Sequence, residues 1–319
     1  MTTLLITAIG GDIAQGVATI IRETYPSWRL IGMDIHERHG GELFVDRLYR
    51  APAASNASYD DWLKDLIGRE KVDFCIPMSE AELLRFAQQR QEEIAGVKLV
   101  MPNLKAIMIG TDKLATSIFL ESIGCPRPWT VSAEEGGENI PLPCIFKPRR
   151  SAGSKAIYVC NTLEDVAFYR ERYPSAVLQE LLLPADKEVT CAIYRTQDGK
   201  TAVLQLLRTL VGGFTGWARV IENPEIANQC NRLAEGLDLK GAINVQLRLT
   251  DNGPRIFEIN PRFSSTVLIR HRMGFQDVVW TLQELMQEKV FFQYPAVGTT
   301  AVRLQGAAVL GCGRKGTSI

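Results

Sequence analysis

The chain has 319 residues, 46% of them hydrophobic and 23% charged, with 36 Lys plus Arg against 36 Asp plus Glu. That length suits about two domains of roughly 150 residues each, and the even charge balance speaks against a nucleic-acid or membrane-surface partner. No apolar run approaches the ~20 residues of a bilayer span, and the start lacks the basic-then-apolar pattern of a signal peptide, so a cytoplasmic location is expected.

The opening, "LLITAIGGDIAQGVATII", reads as a strand over 4–9, a glycine turn and a helix over 13–25 with Ile13, Val17, Ile20 and Ile21 on one face. "RLIGMD" predicts a second strand, ending at Asp34, and "YDDWLKDLIGRE" a helix with Trp62, Leu63, Leu66 and Ile67 inward. "VDFCIPM" predicts a third strand, followed by a helix over about 79–94 and the strand "VKLVM". Strands alternating with helices imply a parallel sheet, a Rossmann-like domain over residues 1–102. Such a start, with Asp34 placed for a ribose, keeps an NAD(P)-dependent oxidoreductase open as an alternative. Against it, position 8 is Ala rather than the first glycine of G-x-G-x-x-G.

Beyond 103 the pattern changes. After the helix "TDKLATSIFLESIG" come the short strands "PCIFKP", "KAIYVC", "AVLQEL", "KEVTCAIYR" and "TAVLQLLRT", with few helices between them, which suggests antiparallel sheet. "NPEIANQCNRLAEGL" predicts a helix capped by Asn223 with Pro224 in its first turn. Two strands and a helix near 276–289 follow, and residues 311–319 lack periodicity, which predicts a mobile tail.

The seven cysteines (75, 125, 144, 160, 191, 230 and 312) form no CxxC pair, and several lie in apolar runs, as buried reduced thiols do. His36 and His39 have metal-like spacing in a polar segment with no third ligand nearby, which favours a solvated loop.

The chemistry concentrates in "AINVQLRLTDNGPRIFEINPRFSST". A three-residue "DNG" loop sets Thr250 opposite Pro254, Gln246 opposite Glu258 and Asn244 opposite Asn260. Alternation then puts Asn244, Gln246, Glu258, Asn260 and Arg262 on one face, with Phe257 and Ile259 in the core. An unpaired carboxylate there is costly. A hard cation such as Mg²⁺, held by protein oxygens and nucleotide phosphates, relieves that cost; so would a Glu–Arg salt bridge on a solvated face, and the pattern alone leaves both open. Upstream, Lys147 ends a strand before a Ser/Ala/Gly/Ser loop that could cradle phosphates. The stretch "VLQELLLPADKEVTC" offers Gln179, Glu180 and Glu188 at a strand edge.

In this order the segments "TDKLATSIFLESIGCPRP", "IFKPRRSAGSKAI", "LQELLLPADKEVT", "NVQLRL" and "FEINPRFSS" resemble the ATP-grasp superfamily, most nearly its carbamoyl phosphate synthetase-like members, over about residues 103–270. The resemblance implies an α/β and α+β chain: a Rossmann-like domain at 1–102, then an ATP-grasp fold with a small subdomain at 103–183 and a C-terminal subdomain at 184–310.

It implies that Lys113 and Lys147 bind ATP phosphates under a loop over 149–155 containing Ser151, Gly153 and Ser154. Glu180 and the backbone of Leu182 would contact adenine, with Gln179 and Leu181 beside them, and Glu188 the ribose. Gln246, Glu258 and Asn260 would hold Mg²⁺, with Mn²⁺ as a substitute, and Arg262 would act catalytically on an acyl-phosphate or substrate carboxylate. The implied activity is an ATP-dependent ligase joining a small-molecule carboxylate to an amine or thiol. A second alternative is a nucleotide-binding protein without ligase activity. A homodimer is an expectation of the same kind. Gly10, Gly11, Arg208, Arg219, Arg270 and Arg272 are candidates for substrate contact. The loop carries one glycine where many relatives have several, and a single unit of this length is not a whole carbamoyl phosphate synthetase.

Overall fold

The computed structural model describes residues 1–135, 139–150, 156–304 and 306–310. The chain begins with β1 (Thr3–Ile6), α1 (Asp12–Thr24), β2 (Arg29–Asp34), β3 (Arg47–Arg50), α2 (Tyr59–Glu70), β4 (Phe74–Ile76), α3 (Glu80–Gln88), β5 (Glu93–Ile94) and β6 (Val97–Leu99). Their sheet has the order β3-β2-β1-β4-β6-β5 and is parallel apart from β5. The central β1 is wholly buried, as a strand covered on both faces must be.

Strands β3 and β5 escape the sequence because "RLYR" and "EI" are short and carry no apolar alternation. The helix expected over 79–94 stops at Gln88. A capping box between Ser79 and Glu82 starts it, and Arg90, at φ 54°, turns the chain toward β5. In α1, Val17, Ile20 and Ile21 are buried as expected, but Ile13 is only half-buried.

Two helices, α4 (Leu104–Gly110) and α5 (Lys113–Ser122), lead to a second sheet of β7 (Thr130–Ser132), β8 (Cys144–Pro148), β9 (Tyr158–Cys160) and, after α6 (Leu163–Arg172), β10 (Ala176–Glu180). Its order is β7-β10-β8-β9, all antiparallel. The third sheet contains β11 (Glu188–Arg195), β12 (Thr201–Val211), β13 (Phe214–Val220), then α7 (Pro224–Gly236), β14 (Gly241–Thr250), β15 (Gly253–Asn260), α8 (Val267–Arg272), α9 (Asp277–Leu285) and β16 (Thr300–Val302). It is antiparallel in the order β15-β14-β11-β12-β13-β16. The sequence did not show α6, β13, α8 or β16; α6 buries only Val166, too little for a periodic signal.

Alternation divides the third sheet's work. Val189, Cys191 and Ile193 of β11, with Ile243, Val245 and Leu247 of β14, pack against Ile226, Cys230 and Leu233 of α7. On the opposite face, Ala192, Tyr194 and Ala242 join a core with Trp280, Phe275 and Val267 that reaches Leu4, Ile6 and Val17 of the first domain. Gly16 permits this junction, since a Cβ there would lie 3.0 Å from Val267 Cγ1. The remainder of that face is polar and looks into a cavity shared with the second sheet.

The six cysteines among the described residues are buried and free, and Cys312 lies outside those residues, as does the whole 311–319 tail. No helix of the described residues is long and apolar enough to cross a membrane.

Candidate active site

The β14–β15 hairpin builds the floor of the cavity, by a different route from the expected one. Thr250 pairs with Gly253, not Pro254, so the loop is a two-residue turn of Asp251 and Asn252. The resulting one-residue offset is cancelled by a β-bulge between Gln246 and Leu247, after which Gln246 faces Glu258 and Asn244 faces Asn260. Ile256 and Ile259 are both in the core, so the bulge turns Phe257 and Glu258 alike toward the cavity. The expectation that Phe257 points into the core is thereby corrected: alternation fails where the strand carries an extra residue.

The cavity, of about 340 Å³, is within the usual size of a small-molecule site. Asn244, Gln246, Arg248, Glu258, Asn260 and Arg262 line it from one side and Ile145, Lys147, Ile157 and Gln179 from the other. Lys147 is 4% exposed, and burial lowers its pKa to about 8; Glu258 opposes that shift and Lys113 adds to it. Its Nζ lies 5.8 Å from the centre of the Phe257 ring, and the Arg248 guanidinium 5.9 Å from the same ring.

Lys113 is buried at the start of α5, in a crevice that shares Gln179 and Phe257 with the cavity. Asp112 caps that helix through the Leu114 and Ala115 amides at 3.1 Å and accepts from Arg149 Nε at 2.8 Å. This ties the residue after β8 to the helix that carries Lys113. Ser151, Gly153 and Ser154 lie outside the described residues.

At the edge between β10 and β11, Gln179, Glu180, Leu181, Leu182 and Glu188 all line the cavity. Several of their polar groups already have protein partners. Gln179 Nε2 donates to Thr130 Oγ1 at 2.9 Å. Glu180 accepts from Arg255 Nη1 at 2.5 Å and from the Trp129 amide at 3.1 Å. The Leu182 carbonyl accepts from Arg248 Nη1 at 3.1 Å. Glu188 sits directly between Arg208 and Arg248 on the neighbouring strands. Arg208 donates to its Oε1 at 3.0 and 2.6 Å, and Arg248 to its Oε2 at 2.7 Å. Arg248 is a site residue beyond those expected; it lies two residues from Gln246 on the same strand face, so alternation along β14 points to it.

Arg262 reaches across to the first domain, where its Nη2 donates to Glu80 Oε1 at 3.0 Å, and its Nη1 donates to the Phe263 carbonyl at 3.1 Å. Of the other arginines considered for substrate, only Arg208 lines the cavity. Arg270 is fully buried and held by Asp277, Ser264 and Thr266; Arg272 pairs with Glu23 on the surface; Arg219 is exposed on β13.

The glycine turn is filled by the protein itself. Asp34 accepts from the Gly10 amide at 2.9 Å and the His36 amide at 2.8 Å. A Cβ at Gly10 would lie 2.9 Å from both Asp34 Oδ2 and His39 Cδ2. The acid expected at a dinucleotide ribose therefore caps its own turn, and neither Gly10 nor Gly11 lines the cavity.

The donor set suits a hard cation: an amide oxygen on Gln246, a carboxylate on Glu258 and an amide oxygen on Asn260. Among the described residues Glu258 has no salt bridge within 4.0 Å, and the buried Nδ2 atoms of Asn244 and Asn260 have no hydrogen-bond partner. Unpartnered groups inside a polar cavity are what a bound ligand satisfies.

A parallel-sheet domain followed by two antiparallel sheets that enclose such a cavity defines the ATP-grasp fold. Residues 174–305 match the family model described as "ATP-grasp in the biosynthetic pathway with Ter operon". It is 26% identical over 297 residues to the carbamoyl phosphate synthase large chain of Thermotoga neapolitana, covering 83% of this chain but only 26% of that protein. It is 29% identical over 213 residues to the D-alanine–D-alanine ligase of Nocardia farcinica, covering 54% of this chain and 57% of the relative. Among solved structures, N5-carboxyaminoimidazole synthetase from Staphylococcus aureus complexed with ADP superposes with a TM-score of 0.73 at 15% identity, over 94% of this chain and 80% of that one.

Proposed function

We propose that the protein is an ATP- and Mg²⁺-dependent ligase that joins a small-molecule carboxylate to an amine or thiol through an acyl-phosphate. The observation that carries this function is the row of Gln246, Glu258 and Asn260 facing Lys147 across one cavity. Residues 103–183 and 184–310 would act as the two halves of the nucleotide site, with residues 1–102 closing its far end.

Lys147 and Lys113 would bind the phosphates. Gln179 to Leu182 would form the adenine edge, and because the Leu182 carbonyl is engaged, the contact would fall to its N–H. Glu188 would meet the ribose by sharing an oxygen with Arg208 or Arg248. Gln246, Glu258 and Asn260 would hold Mg²⁺, which supplies charge compensation for the phosphates. A carboxylate oxygen attacks the γ-phosphorus, the bond to the β-phosphate oxygen breaks, and ADP leaves. The amine then attacks the acyl carbon, the C–O bond to phosphate breaks, and the nitrogen loses a proton. Arg262, oriented by Glu80, offsets the negative charge in both steps. Burial of Lys147 matches the need to exclude water from an acyl-phosphate.

Glu258→Gln tests the assignment, since it removes a ligand charge and little volume. We expect it to lower Mg-dependent ADP formation by about a hundredfold or more, with the circular dichroism spectrum unchanged. Wild-type turnover in the variant would remove the metal assignment; MgADP binding without ADP release across a broad panel of acids and amines would mark a nucleotide-binding protein instead.

A further inference from the structure

The cavity continues past the Glu258 row toward the first domain, where its wall changes character. Ile13 at the start of α1, Leu210 and Phe214 of the β12–β13 hairpin, and Ser264 with Ser265 form this end. Leu210 is 40% and Phe214 45% exposed, so the wall shows apolar surface to solvent inside a binding cavity. Covering that surface is favourable for whatever fills the space.

The wall is tied together by one side chain. Arg303 donates through Nε to the Thr215 carbonyl at 3.1 Å, through Nη2 to the Ser265 carbonyl, and pairs with Asp12 at 3.4 Å, while its guanidinium lies 5.7 Å from the centre of the Phe214 ring. Hairpin, loop and helix start are thus held in one arrangement, which suits selection by shape.

The polar groups next to this wall are donors. The Nδ2 atoms of Asn244 and Asn260 have no partner among the described residues, and Arg262 faces the same space. The wall residues Ile13, Leu210 and Phe214 themselves carry no charge for a second carboxylate. Arg303 is engaged by Asp12 and two carbonyls, Arg208 by Glu188, and Arg270 is sealed in the core. We propose that this end binds the carboxylate substrate and selects one with an apolar body: a monocarboxylate whose head meets Arg262 while its body lies on Ile13, Leu210 and Phe214. This rests on the ligase function proposed above and specifies its acid.

The test uses the full chain with MgADP present and, in parallel, absent. Affinities of 4-methylpentanoate and 3-phenylpropanoate are compared with those of acetate and glutarate by ligand-observed NMR. We expect the two apolar acids to bind about tenfold or more tightly than either control, the gain that burying two methylenes supplies. Leu210→Ser with Phe214→Ser should erase that preference while leaving MgADP affinity unchanged. Neither side chain belongs to a buried core cluster, so the double variant keeps its core. Equal or better binding of glutarate, or a preference that survives the double variant, overturns the inference. Failure of MgADP to bind at all overturns the ligase function instead, and the two outcomes are read in separate titrations.

Discussion

Glu80, in the first turn of α3, holds Arg262 at 3.0 Å across 182 positions of sequence. Both side chains are mostly buried, at 19% and 14% exposure, so the pair is screened little by solvent. It joins the Rossmann-like domain to the residue just beyond β15 that faces the cavity. Glu80→Gln keeps shape and hydrogen bonding but weakens the pull on the guanidinium. The expected result is a tenfold to hundredfold fall in kcat for ADP formation, about what a small misplacement of a reacting group costs. KM for ATP should stay within about twofold. A rise in KM for ATP with kcat intact would refute a positioning role.

Phe257 separates the two accounts of the hairpin. Were it a core residue, truncation to Ala would cost roughly 3–5 kcal/mol. Because the bulge places it against Lys147 and Arg248 in the cavity, Phe257→Ala should cost less than about 1.5 kcal/mol in urea unfolding and weaken MgADP binding several-fold.

Lys147 sets a pH dependence. Burial lowers its folded pKa to about 8 from an ordinary 10.5, so between those values the unfolded chain binds more protons than the folded one. Unfolding free energy therefore rises with pH across that window, and the charged amine weakens the fold below pH 8. Lys147→Met should raise Tm at pH 7, with the gain shrinking toward pH 10. MgADP affinity of the wild type should fall above pH 8, by up to about tenfold per pH unit, because the phosphates favour the protonated amine. A flat titration from pH 7 to 10 would count against phosphate contact.

Arg270 and Asp277 form an ion pair at 2.6 Å with 0% and 1% exposure. Removing one partner leaves the other charge buried alone, and Arg270→Met should lower unfolding free energy by roughly 3–5 kcal/mol. Arg270→Met with Asp277→Leu should recover most of that loss. If the double variant is no better than the single one, the pair matters for shape rather than charge.

The apolar periods were the legible part of the chain. The helix at Tyr59–Glu70, the strand at Arg29–Asp34 and the Asn223-capped helix follow from local pattern, because each buries one stripe against a sheet. Polar or very short elements such as α6 and β3 carry no stripe and leave no signal in the sequence. The pairing of Gln246 with Glu258 was expected from a three-residue loop and a regular ladder, whereas the protein has a shorter turn and a bulge. The two differences cancel at Glu258 but not at Phe257. "TAIGGDIAQG" is similar in kind: Gly10 has no room for a Cβ, because Asp34 and His39 fill the turn.

By itself the sequence determined which residue types could do the chemistry and which strands they alternate on, since both are properties of neighbours along the chain. Only the tertiary structure decided that Arg248 and Arg208 clamp Glu188, that Glu80 steadies Arg262, and that Ile13, Leu210 and Phe214 wall the far end. Each of those contacts joins segments from separate elements, and one-dimensional spacing carries no information about which faces of distant elements meet.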